Sequence, residues 1–214
     1  PIERKNDAEA RDRLRRLIRP FLLRRLKSEV LRDLPSRTEI SLEVELSPEE
    51  AAFYEALRPK AVDELAQAKE TDTESGQAAI RILAHLMRLR RACCHPKLVD
   101  PETPLASSKL RVFAETLEEI LAGNHKVLVF SQFVGHLHLI RDHLDEQGIA
   151  YQYLDGSTPA TKRQKAVRAF QSGSGEVFLI SLKAGGFGLN LTAAACVLHL
   201  DPCWNPATSD QASS

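Results

Sequence analysis

Residues 126–154 read KVLVFSQFVGHLHLIRDHLDEQGIAYQYL, two short apolar runs on either side of an amphipathic stretch. This pattern predicts a strand at 126–130, a helix at 134–147 and a second strand at 150–154. Parallel strands need a long crossover between them, and a helix is the usual connection. The segment therefore predicts one strand–helix–strand unit of a parallel sheet.

The same alternation continues on both sides of this unit. The further predicted elements are a helix at 110–122, a helix at 159–171, a strand at 176–181 and a strand at 196–201. We therefore expect an α/β fold, a parallel sheet with helices on both faces and right-handed crossovers. Ligands of such sheets bind beyond the carboxyl ends of the strands.

The first half of the chain is predicted to be mainly helical. Apolar residues at spacings of three and four from Leu14 to Leu26 predict two short helices divided by Pro20. Alternating apolar residues from Ile40 to Leu46 predict a half-buried strand.

A helix is predicted to start at Ser47-Pro48-Glu49-Glu50, which combines an N-cap, a proline and acidic residues, and to run to about Lys69. Residues 71–77 are expected to be a polar loop, and the helix after it should stop at Pro96.

Three parts follow from these patterns. We expect a basic helical linker at 1–36, a strand with a helical insertion at 37–107, and the α/β lobe at 108–214.

The composition excludes several classes of protein. Of the 214 residues, 43% are hydrophobic and no apolar run approaches the length of a membrane span. Basic and acidic residues both number 29, yet residues 1–34 hold 11 basic and 6 acidic side chains, and residues 81–97 hold 5 and none. This mosaic permits a local cationic surface, although solvated helix faces explain it equally well.

The cysteines and histidines predict neither disulfides nor a metal. Cys93, Cys94, Cys196 and Cys203 form no C-x-x-C pair, and the start PIERKND carries no secretory leader. We expect reduced thiols in a piece of a longer cytosolic protein. Three histidines within 136–143 do not have ligand spacing, so we interpret them as solvated or hydrogen-bonded.

Polar or glycine-bearing loops follow three of the predicted strands. They are Ser131-Gln132, Asp155-Gly156-Ser157 and the stretch from Ser181 to Gly188. Ser157 or Thr158 with Pro159 should also start a helix, whose free amides suit a phosphate. Helix caps and turn glycines are the structural alternatives.

Standard nucleotide-binding and hydrolytic motifs are missing from the sequence. No G-x-x-x-x-G-K-[ST] and no G-x-G-x-x-G following a strand occurs, and AGGFGLN is equally consistent with a tight chain reversal that needs positive φ. Independent hydrolytic chemistry is therefore unsupported.

Taken together, the segments resemble the second motor lobe of the Swi/Snf-type DNA translocases of helicase superfamily two. The resemblance covers nearly the whole chain in order. It rests on PFLLRRLKSEVLRDLP (20–35), LMRLRRACCHPKL (86–98), SSKL, KVLVFSQF, YLDGST, SLKAGGFGLNLTAA and LDPCWNP.

The resemblance implies contacts with the phosphates of one DNA strand. It maps them to Ser131 with Gln132 and to Gly156 with Ser157. Leu182 stands where the family usually has a DNA-contacting threonine. The resemblance therefore leaves that contact to two neighbours, Ser181 and Lys183.

The resemblance also implies ATP and Mg²⁺ in the full-length protein, held mainly by a first motor lobe. Gly188, Asn190 and Gln211 would face the ATP from this lobe, and the arginine fingers would follow beyond Ser214. We therefore expect that the chain alone neither binds ATP tightly nor hydrolyses it.

The implied partners are the backbone of duplex DNA and the first motor lobe, in a monomer without a membrane partner. The expected location is the cytoplasm and nucleoid of a bacterium, or a eukaryotic nucleus. The basic helix could add phosphate contacts, or its arginines could lie beside the core or pair with the acidic helix at 49–64. These arginines are Arg81, Arg88, Arg90 and Arg91.

Two alternatives stay open. An RNA-directed helicase lobe is disfavoured by the helical insertion at 48–96 and by LDPCWNP. A catalytically degenerate scaffold would be consistent with Leu182.

Overall fold

The computed structural model describes residues 8–21, 38–70, 76–185, 189 and 191–202. Its contacts divide the chain into two units, 1–42 and 43–214. The boundaries expected between the linker, the helical insertion and the α/β lobe, at 36/37 and 107/108, stay predictions. No helix in the described part of the chain is both long enough and apolar enough to cross a bilayer.

In the first unit, helix α1 spans Ala8–Ile18 and a short 3-10 helix follows at Arg19–Phe21. The α-helix thus ends two residues before Pro20, and the prediction that Pro20 interrupts it is confirmed, because proline lacks the N–H that the helix needs. The second helix predicted after Pro20 lies outside the described residues.

The second unit contains the predicted α/β succession. Its elements are α2 (Pro48–Glu70), α3 (Gly76–Cys94), a 3-10 helix (Pro96–Leu98), α4 (Ser108–Ala122), β1 (Val127–Ser131), α5 (Val134–Gln147), β2 (Tyr151–Leu154), α6 (Ala160–Gln171), β3 (Val177–Ser181), α7 (Leu182–Gly185) and β4 (Cys196–His199).

The four strands form one parallel sheet in the order β2-β3-β1-β4. β1 and β3 are apolar up to a final serine because both faces of the sheet are covered, and every residue in them is buried. The expected parallel sheet with flanking helices is confirmed.

Alternate side chains of the sheet form two cores, one on each face. The first contains Phe113, Leu117, Val127, Val129, Leu137, Ile140, Leu144, Val177 and Leu179. The second contains Leu128, Phe130, Leu154, Phe170, Phe178, Ile180, Leu182 and Ala184. Helices α4 and α5 therefore cover one face, and α6 and α7 cover the other.

The strand predicted from Ile40 to Leu46 is wrong. Residues 38–47 have no regular structure, and no described strand pairs with them. Val44 and Leu46 are half-buried, but Ile40 and Leu42 are 77% and 58% exposed. Alternation favours a strand only where a neighbouring edge accepts its hydrogen bonds.

The start of α2 is as predicted, and it is tied to the start of α4. The Glu50 amide donates to Ser47 Oγ (3.2 Å), and Glu50 Oε2 accepts from the Ser47 amide (3.0 Å), which is a capping box. Glu50 Oε1 also accepts from the amide of Ser108 (3.0 Å), and the Ser108 hydroxyl donates to Oε2. One buried carboxylate therefore serves two helix N-termini.

Helix α3 ends at Cys94, as Pro96 predicted. His95 caps the 3-10 helix, since its Nδ1 accepts from the Lys97 amide (3.1 Å). Burial lowers the pKa of His95 to about 4, with further contributions from the nearby His136 and Lys97.

Candidate nucleic-acid interface

The carboxyl ends of the four strands lie along one edge of the sheet, because all four are parallel. Ser131 at the end of β1 stands directly opposite Ser181 at the end of β3 in the register. The chain leaves β2 at Asp155 and reaches Asp201 two residues after β4. Polar residues from four separate segments are thus brought to this edge.

Asp201 organises the exit of β1. Its Oδ1 accepts from the Ser131 hydroxyl (2.6 Å) and its Oδ2 from the amide of Gln132 (2.8 Å). Ser131 Oγ accepts in turn from the Phe133 amide (3.0 Å). Burial by itself raises the pKa of Asp201, but the neighbouring His136 and the donors Ser131 and Gln132 outweigh it, so the net shift is downward.

Asp155 organises the exit of β2 in a similar way. Its Oδ1 accepts from the amide of Ser157 (2.8 Å), from the Ser157 hydroxyl (2.7 Å) and from the Thr158 hydroxyl (3.1 Å). Its Oδ2 accepts from the Tyr153 hydroxyl (3.0 Å). Burial and this hydrogen bond raise the pKa of Tyr153 to about 12.

The predicted cap of the following helix is therefore wrong. Ser157 and Thr158 turn back to Asp155, and Pro159 occupies the N-cap position of α6 without a side-chain hydrogen bond. Both hydroxyls donate to the carboxylate of Asp155, and Thr158 Oγ1 also accepts from the Asp155 amide (3.1 Å), which turns these side chains away from the first amides of α6.

Gly156 is exposed, and nothing in the fold requires a glycine there. A Cβ placed on it would meet no atom within 4 Å, and its φ lies outside the left-handed region. The bare backbone at this position leaves open space on the surface.

The exit of β3 is a helix rather than the expected loop, because α7 begins at once with Leu182. Leu182 and Ala184 are buried in the second core, whereas Lys183 is exposed. Arg163 of α6 donates to the carbonyl of Ala184 (3.2 Å) and so joins the second and third exits. The Ser181 hydroxyl is buried without a hydrogen-bond partner among the described residues.

The predicted DNA-contacting residues thus divide into two groups. Ser131 and Ser181 are 0% and 3% exposed, so their hydroxyls do not reach the surface. The accessible group consists of Gln132, Gly156, Ser157 and Lys183. The predicted ATP-facing residues Gly188, Asn190 and Gln211 lie outside the described residues.

Side chains of α3 and α4 support the end of β4. Lys109 Nζ donates to the carbonyl of Leu200 (3.1 Å), and Arg90 Nη2 donates to the carbonyl of Pro202. The Arg90 guanidinium also lies 5.9 Å from the centre of the Phe133 ring. Arg90 is therefore occupied within the fold, while Arg81, Arg88 and Arg91 are exposed.

Two features were missed by the sequence reasoning. Helix α6 carries Lys162, Arg163, Lys165 and Arg168 and no acidic residue, directly after the second exit. The other is a buried group formed by Cys94, His136 and Asp201. His136 is buried rather than solvated, and its Nδ1 lies 3.9 Å from Asp201 Oδ1 without a hydrogen-bond partner in the described part of the chain. For His138 the interpretation as solvated or hydrogen-bonded is confirmed, because its Nε2 bonds the Tyr153 hydroxyl (3.1 Å).

Family models match both halves of the chain. Residues 110–214 match the helicase conserved C-terminal domain, and residues 1–98 match the SNF2-related domain. With the parallel sheet, these matches define the class as a RecA-like lobe of the helicase type.

Solved structures identify the family. The chain is similar to the Sulfolobus solfataricus SWI2/SNF2 ATPase C-terminal domain, with a TM-score of 0.67 and 31% identity over 77% of this chain and 72% of that one. It is also similar to the SWI2/SNF2 ATPase core of the same organism in complex with dsDNA, with a TM-score of 0.72 and 29% identity over 99% of this chain and 45% of that one. The chain belongs to the SWI2/SNF2 family.

Curated relatives agree with this assignment. The chromodomain-helicase-DNA-binding protein 1-like of Danio rerio is 36% identical over 95% of this chain and 20% of the relative. The putative ATP-dependent helicase/translocase YwqA of Bacillus subtilis (strain 168) is 38% identical over 100% of this chain and 23% of the relative. The chain spans about a fifth of the length of these relatives.

Proposed function

We propose that this chain is the second motor lobe of an ATP-dependent translocase on duplex DNA, and that the carboxyl edge of its sheet contacts the phosphate backbone. The observation that carries the proposal is the open surface at Gly156, beside the ordered amide and hydroxyl of Ser157. A glycine that the fold does not need leaves room for the close approach of a phosphate.

The accessible groups have the chemistry of backbone recognition. The side-chain amide of Gln132 supplies hydrogen-bond donors, and Lys183 supplies a positive charge, whereas the amide and hydroxyl of Ser157 both donate to Asp155. Such groups neutralise and orient phosphates without reading the base sequence. We therefore propose binding that depends on salt and is independent of sequence.

Ser131 has a supporting role in this proposal, whereas the buried Ser181 hydroxyl has no hydrogen-bond partner among the described residues. The hydroxyl of Ser131 fixes the carboxylate that holds the Gln132 amide, so it acts on the surface through Asp201. Leu182 is 3% exposed in the apolar core. Its burial gives the leucine a packing role and weakens the argument from this residue for a degenerate scaffold.

The remaining machinery belongs to the full-length protein. We propose that ATP and Mg²⁺ are held mainly by a first motor lobe, with Gly188, Asn190 and Gln211 facing the ATP from this side. Closing and opening of the two lobes would then step the phosphate contacts along the duplex. We propose that this protein acts as a monomer, in the cytoplasm of a bacterium or the nucleus of a eukaryote.

Fluorescence anisotropy tests the DNA-binding part of the proposal. Labelled duplexes of two unrelated sequences should bind the chain equally, and for about four phosphate contacts the affinity should fall about 100-fold between about 50 and 200 mM salt. Lys183→Ala should weaken binding, whereas Arg168→Ala should not, since the exposed Arg168 lies in the last turn of α6, at the end of that helix away from the strand exits.

The same titration with single-stranded RNA distinguishes the proposed duplex-DNA translocase from an RNA-directed helicase lobe. Tighter binding of RNA than of duplex DNA would favour the RNA-directed helicase lobe. No salt-dependent binding of either nucleic acid would contradict the proposed interface.

A further inference from the structure

Three chemically reactive side chains meet in the interior, outside the accessible surface described above. Cys94 is the last residue of α3, His136 lies in the first turn of α5, and Asp201 follows β4. These three residues are 3%, 1% and 3% exposed. One sulfur, one ring nitrogen and one carboxylate oxygen lie within 4.8 Å of one another.

The Nδ1 atom of His136 points to a missing component of this group. It is buried without a hydrogen-bond partner among the described residues. The nearest carboxylate oxygen, Asp201 Oδ1, is 3.9 Å away, which is too far for a hydrogen bond. A buried polar atom ordinarily has a partner, so the space between these atoms suits a small cation.

We propose that Cys94, His136 and Asp201 bind one divalent transition-metal ion, with zinc as the best fit. Sulfur, imidazole nitrogen and carboxylate oxygen are the ligand types that zinc takes in proteins, and three such ligands leave a fourth position for water. The thiolate and the carboxylate together balance the charge of the ion. Binding forms a metal–sulfur bond and releases the thiol proton of Cys94 to the solvent.

The distances are compatible with one shared ion. Ligands of a tetrahedral zinc at about 2.0–2.3 Å from the metal lie about 3.3–3.7 Å apart. The 3.9 Å between His136 and Asp201 is close to this spacing, and the maximum of 4.8 Å in the group needs a contraction of about 1 Å. A side-chain rotation of Cys94 supplies a movement of this size.

The surroundings already orient the carboxylate. Ser131 and the Gln132 amide bond its two oxygens, and an ionised carboxylate retains further lone pairs for a metal. The carbonyls of Leu200 and Pro202, on either side of Asp201, are held by Lys109 and Arg90. The hydrogen bonds from Ser131 and Gln132 to the carboxylate are of the kind that usually orients metal ligands.

Metal analysis of the purified chain tests the proposal. After removal of metal with a chelator, the chain is titrated with Zn²⁺ against a chromophoric competitor and separately with Co²⁺. We expect about one ion per chain, a rise in the melting temperature with Zn²⁺, and a thiolate-to-cobalt charge-transfer band.

Paired variants locate the site. Cys94→Ser and His136→Gln should weaken Zn²⁺ binding about 100-fold or more, and Cys94→Ser should abolish the cobalt charge-transfer band. Cys93→Ser and His138→Gln are matched controls, one on the adjacent thiol and one on the same helix, and should behave like the parent. Circular dichroism first establishes that each variant is folded. If one of the two ligand variants is unfolded, Zn²⁺ binding by the other one tests the proposal.

Three results would overturn the proposal. The parent chain could bind less than about a tenth of an equivalent of Zn²⁺, even at Zn²⁺ concentrations that fill a protein site with three ligands. Cobalt could bind without a thiolate band. Alternatively, NMR of the imidazole could show that, in excess Zn²⁺, Nδ1 of His136 stays protonated and paired with Asp201.

Discussion

The hydroxyl of Ser131 donates a 2.6 Å hydrogen bond to Oδ1 of Asp201, 70 residues further along the chain. The same carboxylate receives the amide of Gln132 through its other oxygen. The end of β1 is thus fixed to the segment that follows β4. In our proposal this connection holds the Gln132 side of the DNA-contacting edge in place.

Ser131→Ala should therefore lower both stability and DNA affinity. The change leaves Asp201 with one donor fewer, and a buried acceptor that loses its partner costs about 1–3 kcal/mol in the free energy of unfolding. Urea unfolding measures this loss. Ser172→Ala, at an exposed hydroxyl, should change stability by less than about 0.5 kcal/mol. Identical unfolding midpoints for the two variants would show that the bond to Asp201 contributes nothing.

Gly156→Ala should separate folding from binding. The added Cβ meets no protein atom within 4 Å, so the free energy of unfolding should stay the same or rise slightly. A phosphate seated against this backbone would be displaced, and we expect about tenfold weaker binding of duplex DNA, or 1.4 kcal/mol.

Gly148→Ala is the control for this prediction. Gly148 has a φ of 67° and ends α5, so alanine there should destabilise the fold. At temperatures where both variants are folded, Gly148→Ala should bind duplex DNA like the parent. A Gly156→Ala chain with unchanged DNA affinity would remove the main support for the phosphate site.

Glu50 should make the stability depend on acid pH. Burial alone raises its pKa, but the hydrogen bonds from Ser108 and Ser47 outweigh burial, and the net pKa lies below the ordinary value of 4.5. The stabilisation is therefore present above about pH 4.5 and is lost as the pH falls through the lower pKa of the folded state.

Urea unfolding of Glu50→Gln and the parent at several pH values measures this effect. The parent should be more stable at pH 7, and the difference should shrink below about pH 4.5. Glu49→Gln, on the exposed first turn of α2, should cost only a few tenths of a kcal/mol at about neutral pH. A difference between Glu50→Gln and the parent that stays constant with pH would contradict the account.

The chain alone should not turn over ATP. No G-x-x-x-x-G-K-[ST] occurs in its sequence, so it lacks the usual cradle for a triphosphate. A phosphate-release assay with duplex DNA should give no more than background, and adding the purified first lobe of the same protein tests whether activity needs both. Sustained turnover by the chain alone would refute the prediction.

The sheet could be predicted from sequence because buried parallel strands are continuous apolar runs, and β1 and β3 begin and end within one residue of the expected positions. The segment from Ile40 to Leu46 failed for the converse reason. Its alternation specifies which side chains share a face, but it carries no information about whether a partner strand is available.

The candidate site was predictable only in part. Residues that directly follow strands could be placed at one edge from topology alone, which is why Ser131 and Gly156 were found. The burial of a hydroxyl such as that of Ser131 depends on long-range partners such as Asp201. The contact between Cys94 and His136 depends on the packing of α3 against the α/β lobe. Spacing along the chain does not report such contacts.

Photo-crosslinking from the surface beside Gly156 tests the central proposal most directly. A photoreactive amino acid is placed at Ser157, and as a control at Ser172, which is equally exposed but lies just after the opposite end of α6. The account predicts a crosslink to duplex DNA from position 157 that competitor duplex removes, and none from position 172. Equal crosslinking from both positions, or crosslinking from position 172 alone, would contradict it.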